Sequence, residues 1–339
     1  MTIEFTAAPA MEALQRIAET LSLPINEQTL RFPVFVGEGF IRAVPLAPGF
    51  SMSIHDVRLV QELDIISHNP LHNTLYQILF CTSENQFSCH VLDENAQRLS
   101  ILSCNGIFFC TPGNDARVTI PPNERISFIS FAVERDVLSE YRTGGGSQNN
   151  TPETKQPFMD AEMPIFIYED ITFAMHHVIQ QLTAIKDSST LFDRMMLHAK
   201  ALELLGLFFW QIHQREASEY RLRLEPETLE KLFAIKQYIT DNITNPPSIP
   251  ELAKKFGLNR NKLQQQFQQV FAKSIYQYVL YAKMNIARTM LETGRFSVSD
   301  VGFQMGYSSL GHFSAEFKRQ FTISPKEVLQ SGRSRSIDA

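Results

Sequence analysis

The chain has no run of about 18 uncharged apolar residues, the length a membrane-spanning helix requires. Its start, Met1-Thr-Ile-Glu-Phe5, lacks the basic stretch and apolar core of a secretion signal, so a cytoplasmic protein without a membrane partner is expected. Cysteine is scarce. Cys81, Cys89, Cys104 and Cys110 contain no C-x-x-C pair and sit in apolar or strand-like runs, which favours reduced, buried thiols over a disulfide scaffold. Nor do His55, His68, His72 and His90 show the His-x-His spacing of grouped metal ligands. His176 and His177 are adjacent, and on a helix their side chains diverge by about 100°. No metal, no cofactor and no catalytic group are therefore expected.

An excess of positive charge is also missing, since the chain carries a net charge of −5. The balance is uneven. Residues 225–339 hold 15 Lys/Arg against 10 Asp/Glu, whereas residues 1–224 hold 16 against 26. A basic C-terminal part beside an acidic N-terminal part suggests that only the former approaches a polyanion.

The chain, at 339 residues, is long enough for two domains. Met11, Leu14, Ile17 and Leu21 share one face of a helix expected at Ala10–Leu21. Short strand-like runs follow: Val34–Ile41, Phe50–Val57, Leu75–Cys81, Phe87–Leu92, Gly106–Cys110 and Ile126–Val133, broken by turn residues such as Pro48-Gly49 and Pro121-Pro122-Asn123. That spacing predicts an antiparallel sandwich or barrel at about 30–143. Residues 144–157 have little to bury and read as a flexible loop. Two apolar stripes at helical spacing, broken at Lys186–Ser189, then predict a helical hairpin over about 170–213, facing the sheet and a second subunit. The first domain is placed at 1–214, a linker at 215–225, an all-α domain at 226–331 and a disordered tail at 332–339.

Two helix-turn-helix-like segments lie in the all-α part, at Ser248–Phe267 and Ser297–Phe317. Each has a short helix, a turn at a glycine (Gly257, Gly306), a polar cap and a second helix. In such units the second helix enters the major groove of double-stranded DNA. In the first unit Leu263, Phe267 and Val270 form the core side of that helix. Arg260, Asn261, Gln264, Gln265 and Gln268 are left facing outward, with amide groups that match adenine. In the second, Leu310, Gly311 and Ser314 take the outward positions, with Ala315 and His312 beside them, and offer little hydrogen bonding. Lys318 and Arg319 read as phosphate anchors, with Lys326 nearby. A helix of about 19 residues between the units, Ser274–Glu292, gives roughly 28 Å at 1.5 Å per residue. Successive major-groove faces lie about 34 Å apart, so both reading helices could meet one face of the duplex.

Residues from about 225 to 331 resemble the DNA-binding domain of the AraC/XylS family of bacterial transcription regulators. The resemblance is carried by Val298, Val301, Gly302, Phe303, Gly306, Tyr307, Phe313, Phe317, Lys318, Arg319, Phe321, Ser324 and Pro325 at the family's spacing. It implies base contacts from Asn261, Gln264 and Gln265, then from Leu310, Gly311 and Ser314. It also implies an α+β, two-domain fold, with an N-terminal cupin-like antiparallel β-barrel that binds a small-molecule effector, a helical dimerisation hairpin, and a C-terminal all-α domain whose two helix-turn-helix units are joined by a long helix. A homodimer follows, with RNA polymerase as a further partner if the protein is an activator. Gly257–Leu263 and the preceding hairpin are most similar to regulators of siderophore uptake.

Within the barrel segment Arg42, His55, Tyr76 and Phe108 are the candidate effector contacts, two polar residues and two aromatics in strand-like runs. Strand alternation could equally place the polar pair in solvent. Two other readings stay open here: a cupin-type enzyme fused to a DNA-binding domain, and a regulator controlled by a protein partner or by redox chemistry at Cys104 and Cys110.

Overall fold

The computed structural model describes residues 1–83, 87–92, 98–103, 106–143, 165–185, 190–213 and 226–337. The expected loop at 144–157, the linker at 215–225, the break at 186–189 and Cys104 lie outside the described residues. The chain divides into two compact units, Met1–Glu230 and Lys231–Ala339.

The N-terminal unit starts with β1 (Thr2–Thr6), α1 (Ala10–Leu21), β2 (Ile25–Asn26) and β3 (Thr29–Arg31). It continues through β4 (Gly37–Ala47), β5 (Phe50–Leu59), β6 (Leu63–His68), β7 (Leu75–Cys81), β8 (Phe87–Leu92) and β9 (Arg98–Ser103). After these come β10 (Gly106–Cys110), β11 (Asp115–Ile120), β12 (Arg125–Glu134), α2 (Arg135–Thr143), β13 (Phe166–Glu169), α3 (Phe173–Ala184) and α4 (Leu191–His213). The strands form an eight-stranded antiparallel sheet, β13-β10-β7-β12-β5-β4-β3-β2, and a five-stranded sheet, β1-β6-β11-β8-β9, in which β1 runs parallel to β6. The strand expected from Val34 starts only at Gly37. Pro33 opens a turn there, its carbonyl accepting from the Val36 and Gly37 amides, which leaves Val34 and Phe35 exposed.

Alternation along the strands separates two faces of the larger sheet. One presents Met52, Ile54, Phe80, Phe109, Ile129 and Phe131 to the apolar sides of α3 and α4. Phe208 of α4 seals this core, with its ring 6.0 Å from Phe80 and 5.9 Å from Phe109. The opposite face, including His55, Phe108 and Phe128, lines a cavity that the smaller sheet and α1 close.

The C-terminal unit contains most of α5 (Pro226–Asp241), then α6 (Ile249–Phe256), α7 (Arg260–Phe271), α8 (Ile275–Glu292), α9 (Val298–Gln304), α10 (Leu310–Phe321) and α11 (Pro325–Ile337). Residues 332–337, expected in a disordered tail, are instead the end of α11. Val328 and Leu329 join the core formed by α8, α9 and α10, and Gly332 lies so close to α8 that a Cβ would stand 2.5 Å from the Glu292 carbonyl oxygen. That packing holds the helix beyond the point where its sequence turns polar. Among the described residues no helix is long and apolar enough to cross a membrane.

Candidate nucleic-acid interface and interior cavity

Local chemistry sets the ends of each helix in the first unit. Ser248 caps α6 in a full capping box with Glu251, and Gly257 ends it at φ 65°, in the left-handed region where a side chain is strained. The Asn259 side chain then accepts from the Asn261 and Lys262 amides and starts α7. Leu263, Phe267, Val270 and Phe271 are buried, so the remaining arc of α7 faces out. Arg260, Asn261, Gln264, Gln265 and Gln268 are all exposed on it. The helix is held rigidly from behind. The Phe267 ring lies 4.5 Å from Phe271 and 5.7 Å from Tyr278 of α8, and the Lys236 ammonium lies 5.6 Å from the Tyr278 ring.

The second unit repeats the design with other side chains. Ser297 and Asp300 form the capping box of α9, Gly306 turns at φ 81°, and Ser309 caps α10 by accepting from the His312 amide. Phe313 and Phe317 are fully buried. Gly311, Ala315, Lys318 and Arg319 are exposed, whereas Leu310 and Ser314 are only half-exposed. Leu310 folds back onto the first helix of its own unit: a Cβ on Gly302 would be 2.9 Å from Leu310 Cδ2. Arg319 is tied to Glu316 at 2.6 Å, while Lys318 has no ion-pair partner among the described residues. Alanine at Lys318 is expected to weaken all DNA alike and to lower the slope of log affinity against log salt by about 1, as for one lost phosphate contact. The Arg319→Ala loss should be smaller because Glu316 already offsets that charge, and Ser314→Ala should leave operator discrimination nearly unchanged. Salt titrations of binding on specific and random duplexes check all three.

α8 joins the two units. Its 18 residues span about 27 Å at 1.5 Å per residue. Its first half packs against α5 and α7, its second half against α9, α10 and α11. Lys283 of α8 donates to the Met305 carbonyl at 2.8 Å, fixing the turn of the second unit to this helix. Partial burial holds the Lys283 ammonium below its ordinary pKa.

The four candidate effector contacts do not converge. His55 and Phe108 line the cavity of about 120 Å³ between the two sheets. Arg42 and Tyr76 lie on the other face of the larger sheet. Arg42 pairs with Ile54 and Tyr76 joins the core under α3 and α4, because each has the opposite parity to the cavity-lining residues of its strand. A cavity-lining Gln77 and Ser53 were not anticipated; knowing the strand registers in advance would have selected them.

Inside the cavity, His55 stacks on Phe128 with ring centroids 4.0 Å apart and bonds the Ser53 hydroxyl through Nε2 at 2.7 Å. Burial pulls its pKa from 6.5 down to about 3, so the ring is neutral. A folded pKa below the unfolded one means that the unfolded chain binds the extra proton first. Stability from this site is therefore complete above pH 6.5 and declines as pH falls toward 3. Calorimetry of the N-terminal transition between pH 7 and 4 should show that decline, and His55→Phe should flatten it.

Two of the thiols, Cys89 and Cys110, are poorly placed for redox chemistry. Burial pushes Cys89 up to about 12 and Cys110 further still, so neither is a reactive thiolate near neutral pH. Among the described residues no three His, Cys, Asp or Glu side chains are grouped to hold a metal ion.

Two helix-turn-helix units on a shared connecting helix, together with a two-sheet unit bearing a helical hairpin, define the architecture of a tandem helix-turn-helix regulator. Residues 37–232 match the regulatory protein PchR N-terminal domain, and residues 252–331 match a helix-turn-helix domain. The chain belongs to the AraC family of regulators, among those with the PchR-type N-terminal domain. It is similar to the xylose operon regulatory protein of Haemophilus influenzae, 24% identical over 116 residues, which cover 34% of this chain and 29% of that one. The HTH-type transcriptional activator RhaS of Yersinia pestis is 26% identical over 132 residues, 39% of this chain and 46% of the relative. Both matches therefore span less than half the length of the curated relatives. A solved AraC-type regulator from Chromobacterium violaceum is 28% identical, with a TM-score of 0.30, covering 31% of this chain and 94% of its own.

Proposed function

We propose that the protein is a sequence-specific, ligand-responsive transcription regulator of the bacterial cytoplasm, acting as an activator and not as an enzyme. The observation that carries this reading is α7: five polar side chains exposed on one arc, above a core of phenylalanines that fixes their direction. Asn261, Gln264 and Gln265 read base edges, and Arg260 and Gln268 flank them. Leu310, Gly311 and Ser314 lie against the groove in the second unit, and Lys318 and Arg319 hold phosphates. Domain limits of 1–214 and 226–331 go with this division of labour. An electrophoretic shift of promoter DNA from neighbouring operons tests it; no binding to any duplex in the presence or absence of cell extracts contradicts it.

In this account the two sheets form a cupin-like effector site, and an effector between them biases a pre-existing equilibrium of the DNA-binding domains. The helical hairpin pairs two copies. Its support is a stripe on α4 in which Phe192 is 76%, Met196 50% and Trp210 67% exposed, with open space around Gly206. Exposed apolar side chains at both ends of one helix face, with the Lys200–Glu203 pair between them, are what a partner helix would cover. Met196→Glu with Trp210→Glu should give monomers by sedimentation velocity and weaken binding to a two-site operator. A dimer that survives both changes contradicts the assignment. RNA polymerase is the remaining partner of an activator.

A further inference from the structure

The grip on DNA extends past α10, an inference that rests on the DNA-binding reading above. α8, α9 and α10 make a three-helix unit around the second turn. In three-helix units of this kind the loop between the first two helices touches the DNA backbone, as does the end of the third. Lys318 and Arg319 stand at the end of α10. The loop between α8 and α9 is Thr293–Ser297, and it has its own positive charge.

Two guanidinium groups meet there. Arg295 is exposed on the loop, two residues ahead of the Ser297 cap of α9. Arg333 is also exposed and arrives from α11: its Nε donates to the Gly294 carbonyl at 3.5 Å. A Cβ on Gly294 would stand 3.2 Å from Arg333 Cγ, and Gly294 itself turns at φ 70°. The close seat of Gly332 on Glu292 thus brings a second cation to the loop.

No carboxylate offsets the two charges. α8, α9 and α11 have one acidic residue each, Glu292, Asp300 and Glu327. Arg288 holds Glu292 at 3.1 Å, while Asp300 and Glu327 accept from the amides of Ser297 and Ser324. Neither Arg295 nor Arg333 has an ion-pair partner among the described residues. Two converging cations repel each other, and a polyanion relieves that repulsion. The guanidinium fork also fits a phosphate.

The first unit lacks this feature. Its corresponding loop, Asn242–Ser248, contains no Lys or Arg, and Pro246 stands two residues ahead of the cap where Arg295 stands in the second unit. α8 runs about 27 Å from the first unit to the Thr293–Ser297 loop. The arginine pair therefore lies at the end of α8 remote from the first unit.

We propose that Arg295 and Arg333 bind phosphates of the duplex just outside the half-site of the second unit, extending the footprint without adding sequence preference.

Salt titrations of the full chain on a duplex enriched from a random pool, and on a scrambled one, test the proposal. The proteins compared are wild type, Arg295→Gln, Arg295→Gln/Arg333→Gln and Arg295→Lys/Arg333→Lys. Each lost phosphate contact should lower the slope of log affinity against log salt by about 0.9, so the double glutamine variant should lose about 2. Both duplexes should weaken by the same factor. The lysine pair should restore the slope, because a phosphate accepts from either cation. Trimming the duplex by about half a helical turn beside the second unit should cost the wild type affinity and the double glutamine variant little. Arg295 is exposed and bonds Thr293 Oγ1 only through its backbone amide, so its single variant keeps the test decisive if Arg333→Gln frays α11. An unchanged slope in these variants, with a wild type that binds DNA, means a solvated face and overturns the proposal. A loss confined to the enriched duplex overturns it too, since it would mean base contacts. No binding by the wild type to any duplex overturns the DNA-binding reading, and this inference with it.

Discussion

Alanine at Gln264 or at Gln265 is expected to reduce discrimination between operator and random DNA by about 1–3 kcal/mol, roughly 5- to 150-fold, for each amide that makes a bidentate contact to adenine. The expectation comes from how α7 is held. Both side chains are exposed, and neither supports the core, which is formed by Leu263, Phe267 and Val270 on the opposite arc. Removing the amides should leave unfolding unchanged, since surface substitutions away from caps and cores fall within about 0.5 kcal/mol. Random-sequence affinity should also persist, because phosphate contacts supply it. Competition binding against operator and scrambled duplexes at fixed salt separates these effects. A parallel loss on both duplexes would place the two residues on the backbone and not on the bases.

Phe267→Ala should cost about 3–5 kcal/mol of stability, as for a fully buried phenylalanine. Phe267 is the point where α7 meets α8, through Phe271 at 4.5 Å and Tyr278 at 5.7 Å. Truncation leaves a cavity at the junction that aims the polar arc. At about 4 °C or more per kcal/mol for a domain of this size, the C-terminal transition should fall by more than about 12 °C. The N-terminal unit has its own core and should melt where it did before. Differential scanning calorimetry of the full chain resolves the two. A shift of both transitions together would mean that the units unfold as one.

The two helix-turn-helix units were legible because each of their signals is local. Ser248 with Glu251, Gly257, Asn259 and Ser297 with Asp300 announce helix ends within a few residues, and the structure has caps and turns at each. α1, β7, β8 and β10 were legible for the same reason, with periodic runs between clear breakers. What depends on strand register was not. Arg42 and His55 look alike in sequence, polar residues in apolar runs, yet one lies beneath the helical hairpin and the other in the cavity. A single residue of register decides between these faces. The helical end of α11 was also hidden, because close packing of Gly332 on α8 stabilises it and not its own polar sequence. Leu310 shows a similar limit: helical position alone put it at the groove, and only the fold reveals that its side chain is half-spent on Gly302.

If α7 reads bases while α10 grips the backbone, selection of duplexes from a random pool should expose the division. The wild-type chain and Gln264→Ala/Gln265→Ala, each sequenced after several rounds, should differ in one respect. Wild type should enrich a sharply defined half-motif beside a weakly defined one about a helical turn away, and the variant should blur the sharp half alone. Identical motifs from both proteins, or blurring confined to the weak half, would contradict the account.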